Sequence, residues 1–249
     1  MFPIGDDNPT RRTSYVTYGL IVINVLVFFY EIKLQNQAVV TDRGEVLGTA
    51  MDYFLRDWAV VPRQLTATIV GAPIPHLQGV SSEPPEFLTL ITSQFLHGGW
   101  THLIGNMLFL WIFGNNVEDR LGRMKFLIFY LMVGVLSGLT QWVFSAQSAV
   151  PCLGASGAIA GVMGAYILRF PKVPVNTFIP PFFIIPIPAF VYLGIWFVQQ
   201  AISSVAQPMG GQGGVAYWAH SGGFVFGAVL GVMFGLLRRD KLEPEGYDS

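Results

Sequence analysis

Apolar residues in this chain come in long blocks rather than in alternation. Six blocks, at approximately residues 15–31, 102–117, 125–144, 155–170, 178–201 and 218–237, are separated by polar, proline-rich or glycine-rich stretches. At about 1.5 Å rise per residue, each is long enough to matter as a helix in a bilayer. The fourth is short for a full span and begins at a serine. A short helix hung between loops implies that its N-terminal end lies below the membrane surface, where irregular backbone needs protein or a water-filled cavity around it. The fifth opens on Pro180, Pro181, Pro186 and Pro188 and continues with Trp196 and Phe197. Proline weakens helical hydrogen bonding, so this block reads either as a lateral gate or as a kinked helix. The pattern predicts an all-α polytopic membrane protein, a six-transmembrane-helix bundle with a short central fourth helix.

Composition agrees. Of 249 residues, 52% are hydrophobic and 12% charged, and the mean hydropathy is +0.52. A soluble domain has about twice that share of charge. A net charge of −1 gives no reason to expect a nucleic-acid partner, and a single cysteine excludes an internal disulfide framework. The polar start followed by an apolar block, with no small-residue cleavage site, reads as a retained first span rather than a signal peptide.

Six spans put both ends of the chain on one side. That side collects Arg11, Arg12, Arg120, Arg123, Lys125, Arg169, Lys172, Arg238, Arg239 and Lys241, against Lys33, Arg43, Arg56 and Arg63 on the other. The asymmetry makes both termini cytoplasmic. Residues 1–249 are therefore read as one membrane domain, with a cytoplasmic N-terminus at about 1–14, a long extramembrane loop at 32–90 and a cytoplasmic tail at 238–249. In that loop, Met51, Phe54, Leu55 and Trp58 share a helical face opposite Asp52, Arg56 and Asp57. This suits a helix lying in the membrane interface, or an ordinary loop helix.

Polar side chains inside a bilayer are costly and therefore informative. Every Asp and Glu falls in a loop, a tail or a span end. This argues against a paired-aspartate protease and a proton-coupled transporter, and no H-E-x-x-H zinc motif is present. No cofactor or metal is expected. His102, Asn106, Ser156 and His220 remain within the spans. His102 and Asn106, four apart, share a helix face and form either an interhelical hydrogen-bonding patch or part of a site. His97 reads as satisfying loop carbonyls, and His76 as a loop residue.

Gly223, Gly227, Gly231 and Gly235 recur every four residues after His220, and Gly157, Gly161 and Ala165 do the same after Ser156. Such stripes let helices approach closely, which would bring Ser156 and His220 together at one end of a shared seam. A histidine within reach of a serine hydroxyl supports nucleophilic catalysis. With no carboxylate available this is a dyad. The Ser156 backbone N–H at a helix N-terminus, with His102 and Asn106, could hold an oxyanion. The soluble G-x-S-x-G elbow does not fit, because Gly157 directly follows the serine. Cys152 is a weaker candidate nucleophile.

These residues resemble the rhomboid intramembrane serine proteases over roughly residues 87–237. "GASG" at 154–157 is similar to the nucleophile motif, and "AHSGGFVFG" at 219–227 to the histidine motif of the last span. "HGGWTHLIGN" resembles the second-span motif whose His and Asn help form the oxyanion hole, and "VEDRLG" at 117–122 the turn after it. In the first loop, Arg56-Asp57-Trp58 stands where many members carry adjacent Trp and Arg. The resemblance implies an intramembrane serine endopeptidase with Ser156 as nucleophile and His220 as general base. His102, Asn106 and the Ser156 N–H would form the oxyanion hole. The partners implied are membrane lipid and substrates cut in or near a transmembrane helix. The compact six-span form suggests a bacterial inner membrane. The alternative is a catalytically silent, derlin-like relative that binds or helps transport membrane clients.

Overall fold

The computed structural model describes residues 2–72, 86–207 and 215–238. Strand β1 (Phe2–Asp6) precedes helix α1 (Tyr15–Gln35). The long loop then holds strands β2 (Ala38–Val40) and β3 (Val46–Thr49) and helices α2 (Ala50–Trp58), α3 (Pro62–Val70) and α4 (Glu86–Thr92). Helices α5 (Trp100–Phe109) and α6 (Asn115–Leu121) are joined by a π-helical turn at Leu110–Gly114. Next come α7 (Arg123–Ser145), α8 (Ser156–Arg169), strands β4 (Pro174–Ile179) and β5 (Phe183–Pro188), α9 (Ala189–Ala206) and α10 (Tyr217–Met233). His76, Arg239 and Lys241 lie outside the described residues. Among the described residues, α1, α7 and α9 are long and apolar enough to cross a membrane, by length and composition.

The expectation of helix alone is corrected at five short strands. The largest departure is in the fifth apolar block, where the helix starts at Ala189 rather than near 178. Residues 174–188 instead form the antiparallel hairpin β4–β5, and β1 pairs with β4 to complete a three-stranded sheet ordered β1-β4-β5. The sequence accounts for this. Proline cannot continue a helix from within, whereas the interleaved Val, Ile, Thr and Phe suit strands. Pro186 and Pro188 sit on the edge strand β5, where a missing N–H costs little. The prolines therefore precede α9 and do not bend it, so they support neither the kink nor the gate expected of this block.

One end of the bundle is tied by polar contacts. Glu118 accepts from the N–H groups of Val16 (3.1 Å) and Thr17 (2.7 Å) and from the Thr17 hydroxyl (2.7 Å). It thus caps the N-terminus of α1, where backbone donors have no intrahelical partner. At the same end, Arg120 donates to the Arg238 carbonyl at 2.8 Å, Tyr166 bonds Asp6, and Asp7 N–H donates to Pro174 O at 3.0 Å. Burial raises the Asp6 pKa to about 6. Gly122, with φ of +79°, makes the left-handed turn between α6 and α7. In the long loop, the expected amphipathic helix is α2, closed by a capping box between Thr49 and Asp52. Its Phe54 meets Tyr30 of α1 edge-on, ring centroids 5.5 Å apart.

Helix α8 is the centre of the fold, with residues 157–166 buried without a break. A helix that is apolar all round must be wrapped by others, and α7, α10 and the π turn surround it. Its contact with α10 is made through backbone. A Cβ at Gly227 would collide with the Gly161 backbone, one at Gly223 with the Gly157 carbonyl, and one at Gly164 with the Phe224 carbonyl. Gly231 packs on Ala165. The paired stripes read from the sequence therefore meet, with one correction. Gly235 lies beyond the end of α10 at φ +92° and serves the turn there rather than the seam.

Two glycines should accordingly fail for different reasons. Gly227→Val forces α8 and α10 apart, and overpacking of this kind costs about 1–3 kcal/mol or more. Gly235→Ala leaves the seam intact but strains a left-handed residue. A thermal-shift series should show the larger drop at Gly227, and a Gly227→Val protein melting with wild type would show that the helices do not depend on this contact.

Candidate active site

Because α8 and α10 touch backbone to backbone, the residues at their adjoining ends are held close. Ser156 is the first residue of α8, His220 lies in the first turn of α10, and His220 Nε2 stands 2.7 Å from Ser156 Oγ. Both open on a cavity of about 520 Å³ lined also by Gly98, Gly99, His102, Asn106, Met163 and Trp196. Helix α8 can start beside this cavity because Gly154, at φ +119°, turns the chain just before it, and the Gly154 N–H is taken by Ser93 O at 2.8 Å.

The approach of His220 is fixed from a second helix. Ser137 of α7 donates to the Ala219 carbonyl at 2.8 Å, and the Ala219 N–H donates to Gln141 Oε1 at 3.2 Å. Ala219 belongs to the first turn of α10, so Gln141 supplies an acceptor that the helix itself cannot. From a third helix, Gln200 Oε1 of α9 lies 2.8 Å from His220 Nδ1. Reading the sequence missed Ser137, Gln141 and Gln200. The rule that singled out His220, a polar residue inside an apolar block, applies equally to them.

His102 and Asn106 share the face that α5 turns to the cavity. A Cβ on Gly154 would sit 2.7 Å from His102 Nε2 and 3.6 Å from Asn106 Nδ2, so both side chains lie against the turn before Ser156. His102 Nδ1 accepts from the Gly98 N–H at 3.4 Å. A neutral imidazole holds one proton, which this contact leaves on Nε2, facing the cavity. Asn106 Nδ2 lies 3.0 Å from His97 Nε2, which commits one of its two N–H bonds and leaves the other. His97 thus bonds Asn106 through Nε2, in place of the loop carbonyls expected of it. The His97 N–H donates to both oxygens of Glu31, at 3.1 and 3.2 Å. That carboxylate, near the end of α1, is 2% exposed.

Cys152 is tied to the first loop by its backbone. Its N–H donates to Val60 O at 2.7 Å, Val60 N–H donates back at 3.1 Å, and its side chain packs with Val60, Leu65 and Leu90. Burial pushes its thiol up to about 12. Among the described residues, no group of three or more His, Cys, Asp or Glu side chains is placed to hold a metal ion. The arrangement sets a hydroxyl 2.7 Å from an imidazole nitrogen, with N–H donors around the same cavity, and such parts are what acyl transfer requires.

Residues 84–237 match the family model described as Rhomboid domain. Over 84 residues the chain is 37% identical to Rhomboid-like protein 11, chloroplastic, of Arabidopsis thaliana, covering 34% of this chain and 30% of that protein. It is 32% identical over 152 residues to Rhomboid protein 1, mitochondrial, of Saccharomyces cerevisiae, covering 58% and 41%. It is 26% identical over 234 residues to Rhomboid protease AarA of Providencia stuartii, covering 88% and 72%. The chain thus spans less than half the length of the plant and yeast relatives.

A thiol with a raised pKa carries little thiolate at neutral pH and is a poor nucleophile. Cys152→Ala should leave the reaction of the protein with a fluorophosphonate unchanged, as read by gel fluorescence. Loss of labelling in a folded Cys152→Ala protein would move the nucleophile to sulfur.

Proposed function

Because the chain belongs to the rhomboid family, we propose that it is an intramembrane serine endopeptidase. The observation that carries the reading is the 2.7 Å contact between Ser156 Oγ and His220 Nε2 on an open cavity. Ser156 Oγ attacks the substrate carbonyl carbon while His220 Nε2 takes the hydroxyl proton. The tetrahedral oxyanion is held by the Ser156 N–H, the His102 Nε2–H and the free Asn106 N–H. His220 then returns the proton to the leaving amine, and the acyl group stays on Ser156. Water, deprotonated by His220, attacks the ester and releases the second product, restoring the serine.

The substrate is a transmembrane helix of another protein, or the stretch beside one. A helical peptide bond is shielded, so small or helix-breaking residues at the cut favour entry. In this reading residues 1–249 form one membrane domain of six spans, with α8 as the short fourth. The end that gathers residues 6, 118–123, 166–174 and 238 faces the cytoplasm, by the excess of Arg and Lys there. The membrane is the bacterial inner membrane.

Co-expression with a panel of single-span membrane proteins tests this. Ser156→Ala and His220→Ala should each abolish cleavage while leaving a folded protein, and near wild-type cleavage by either would overturn the dyad. His102→Ala and Asn106→Ala should lower kcat, each by on the order of 10²-fold, with little change in KM, since an oxyanion donor acts on charge that develops in the transition state. An effect on KM alone would assign them to binding. EDTA should leave the activity intact.

A further inference from the structure

Gln200 is a buried amide in a largely apolar helix, and its place relative to His220 has a chemical consequence. Its side chain is 8% exposed, with Oε1 2.8 Å from His220 Nδ1 on the side of the ring opposite Ser156. A neutral imidazole carries its proton on one nitrogen only. For Nε2 to accept from the serine hydroxyl, the proton must sit on Nδ1, and a buried Nδ1–H needs an acceptor. We propose that Gln200 is a positioning residue for His220, holding the Nδ1–H tautomer and the ring plane that aim Nε2 at Ser156. This rests on the protease reading above.

A carboxylate at this position would place a charge among apolar helices, where charges are expensive. The amide oxygen orients the ring without that cost. Its own seat is specified along α9. Trp196, one turn earlier, lies with its ring centroid 6.0 Å from that of His220. Ser204, one turn later, donates to Gln200 O at 2.8 Å and pairs with Ser221 of α10 at 3.0 Å. Residues 196, 200 and 204 thus key one face of α9 to the first turns of α10. The orientation of the base therefore depends on α9 being docked, and withdrawing the helix removes the acceptor from Nδ1.

The test uses the full chain in detergent, with a fluorophosphonate probe. Its labelling of Ser156 is read as separate rate and affinity constants beside a thermal melt. Gln200→Met keeps the shape and removes the acceptor. It should label about 10²-fold more slowly, the low end of what a positioned general base contributes, with probe affinity and Tm unchanged. Gln200→Glu, which keeps an oxygen in place, should lower Tm through its buried carboxyl group yet recover most of the rate when labelled below that Tm. Wild-type labelling of Gln200→Met would overturn the role while the protease reading stands. Should Gln200→Met melt early, the Glu variant decides. Recovery supports positioning, and an equal loss in both variants reduces Gln200 to packing and overturns it. Ser156→Ala labelled at the wild-type rate would overturn the protease reading itself, and the role of Gln200 with it.

Discussion

The contact between the backbones of α8 and α10 is the constraint on which the rest of the site depends. Two helices with ordinary side chains pack about 8–10 Å apart, and a serine and a histidine on their flanks would then need long, flexible reaches. Here Gly157, Gly161, Gly223 and Gly227 remove the side chains at the crossing, so that one helix's carbonyls lie where the other's Cβ atoms would be. In lipid there is no hydrophobic drive to press helices together, and close van der Waals contact must supply the association. The same surface that stabilises the pair thereby sets the 2.7 Å separation of Ser156 and His220.

Glycine contact fixes distance but not rotation or axial register. Those come from directional bonds, and the structure places them beside the histidine. Ser137 and Gln141 take both polar groups of Ala219, the residue before His220, while Gln200 bonds the ring itself. An unbonded amide or hydroxyl buried in an apolar medium is expensive. Each of these side chains therefore has a strong preference for the one geometry that satisfies it. Neutral groups give that selectivity without the penalty of a buried charge.

How much of this was legible in the sequence follows from the reach of each signal. The glycine spacing and the positions of Ser156, His220, His102 and Asn106 were readable because a four-residue repeat and an isolated polar residue are local patterns. The β4–β5 hairpin was misread because a run such as "FIPPFFIIPIP" is as apolar as a span. Hydropathy alone cannot separate strand from helix there, and the prolines held the answer. Gly235 fits the repeat in sequence, yet the helix ends before it, and nothing in the spacing marks that end. Ser137, Gln141 and Gln200 were passed over because a lone Gln or Ser in a span has many uses. Only their partners, 78 residues away for Gln141 and Ala219, identify them.

The carboxylates complete the picture from the other side of the cavity. Among the described residues none reaches the dyad, yet three are buried: Glu86, 9% exposed, and Glu31 and Glu118, each 2% exposed. Glu118 caps the first turn of α1 with residues 16 and 17, while Glu31, near the opposite end of α1, receives the N–H of His97. Helix α1 is thus pinned at both ends to the segment running from 97 to 118, and this segment carries His102 and Asn106. A carboxyl group offers two acceptor oxygens, so one side chain can take several backbone N–H bonds at once. Placed at both ends of one helix, two such contacts oppose sliding and tilting alike. The donors that face Ser156 therefore take their rigidity from α1, a helix that contributes no residue to the cavity lining, and the two glutamates are kept where they can brace the site without entering it.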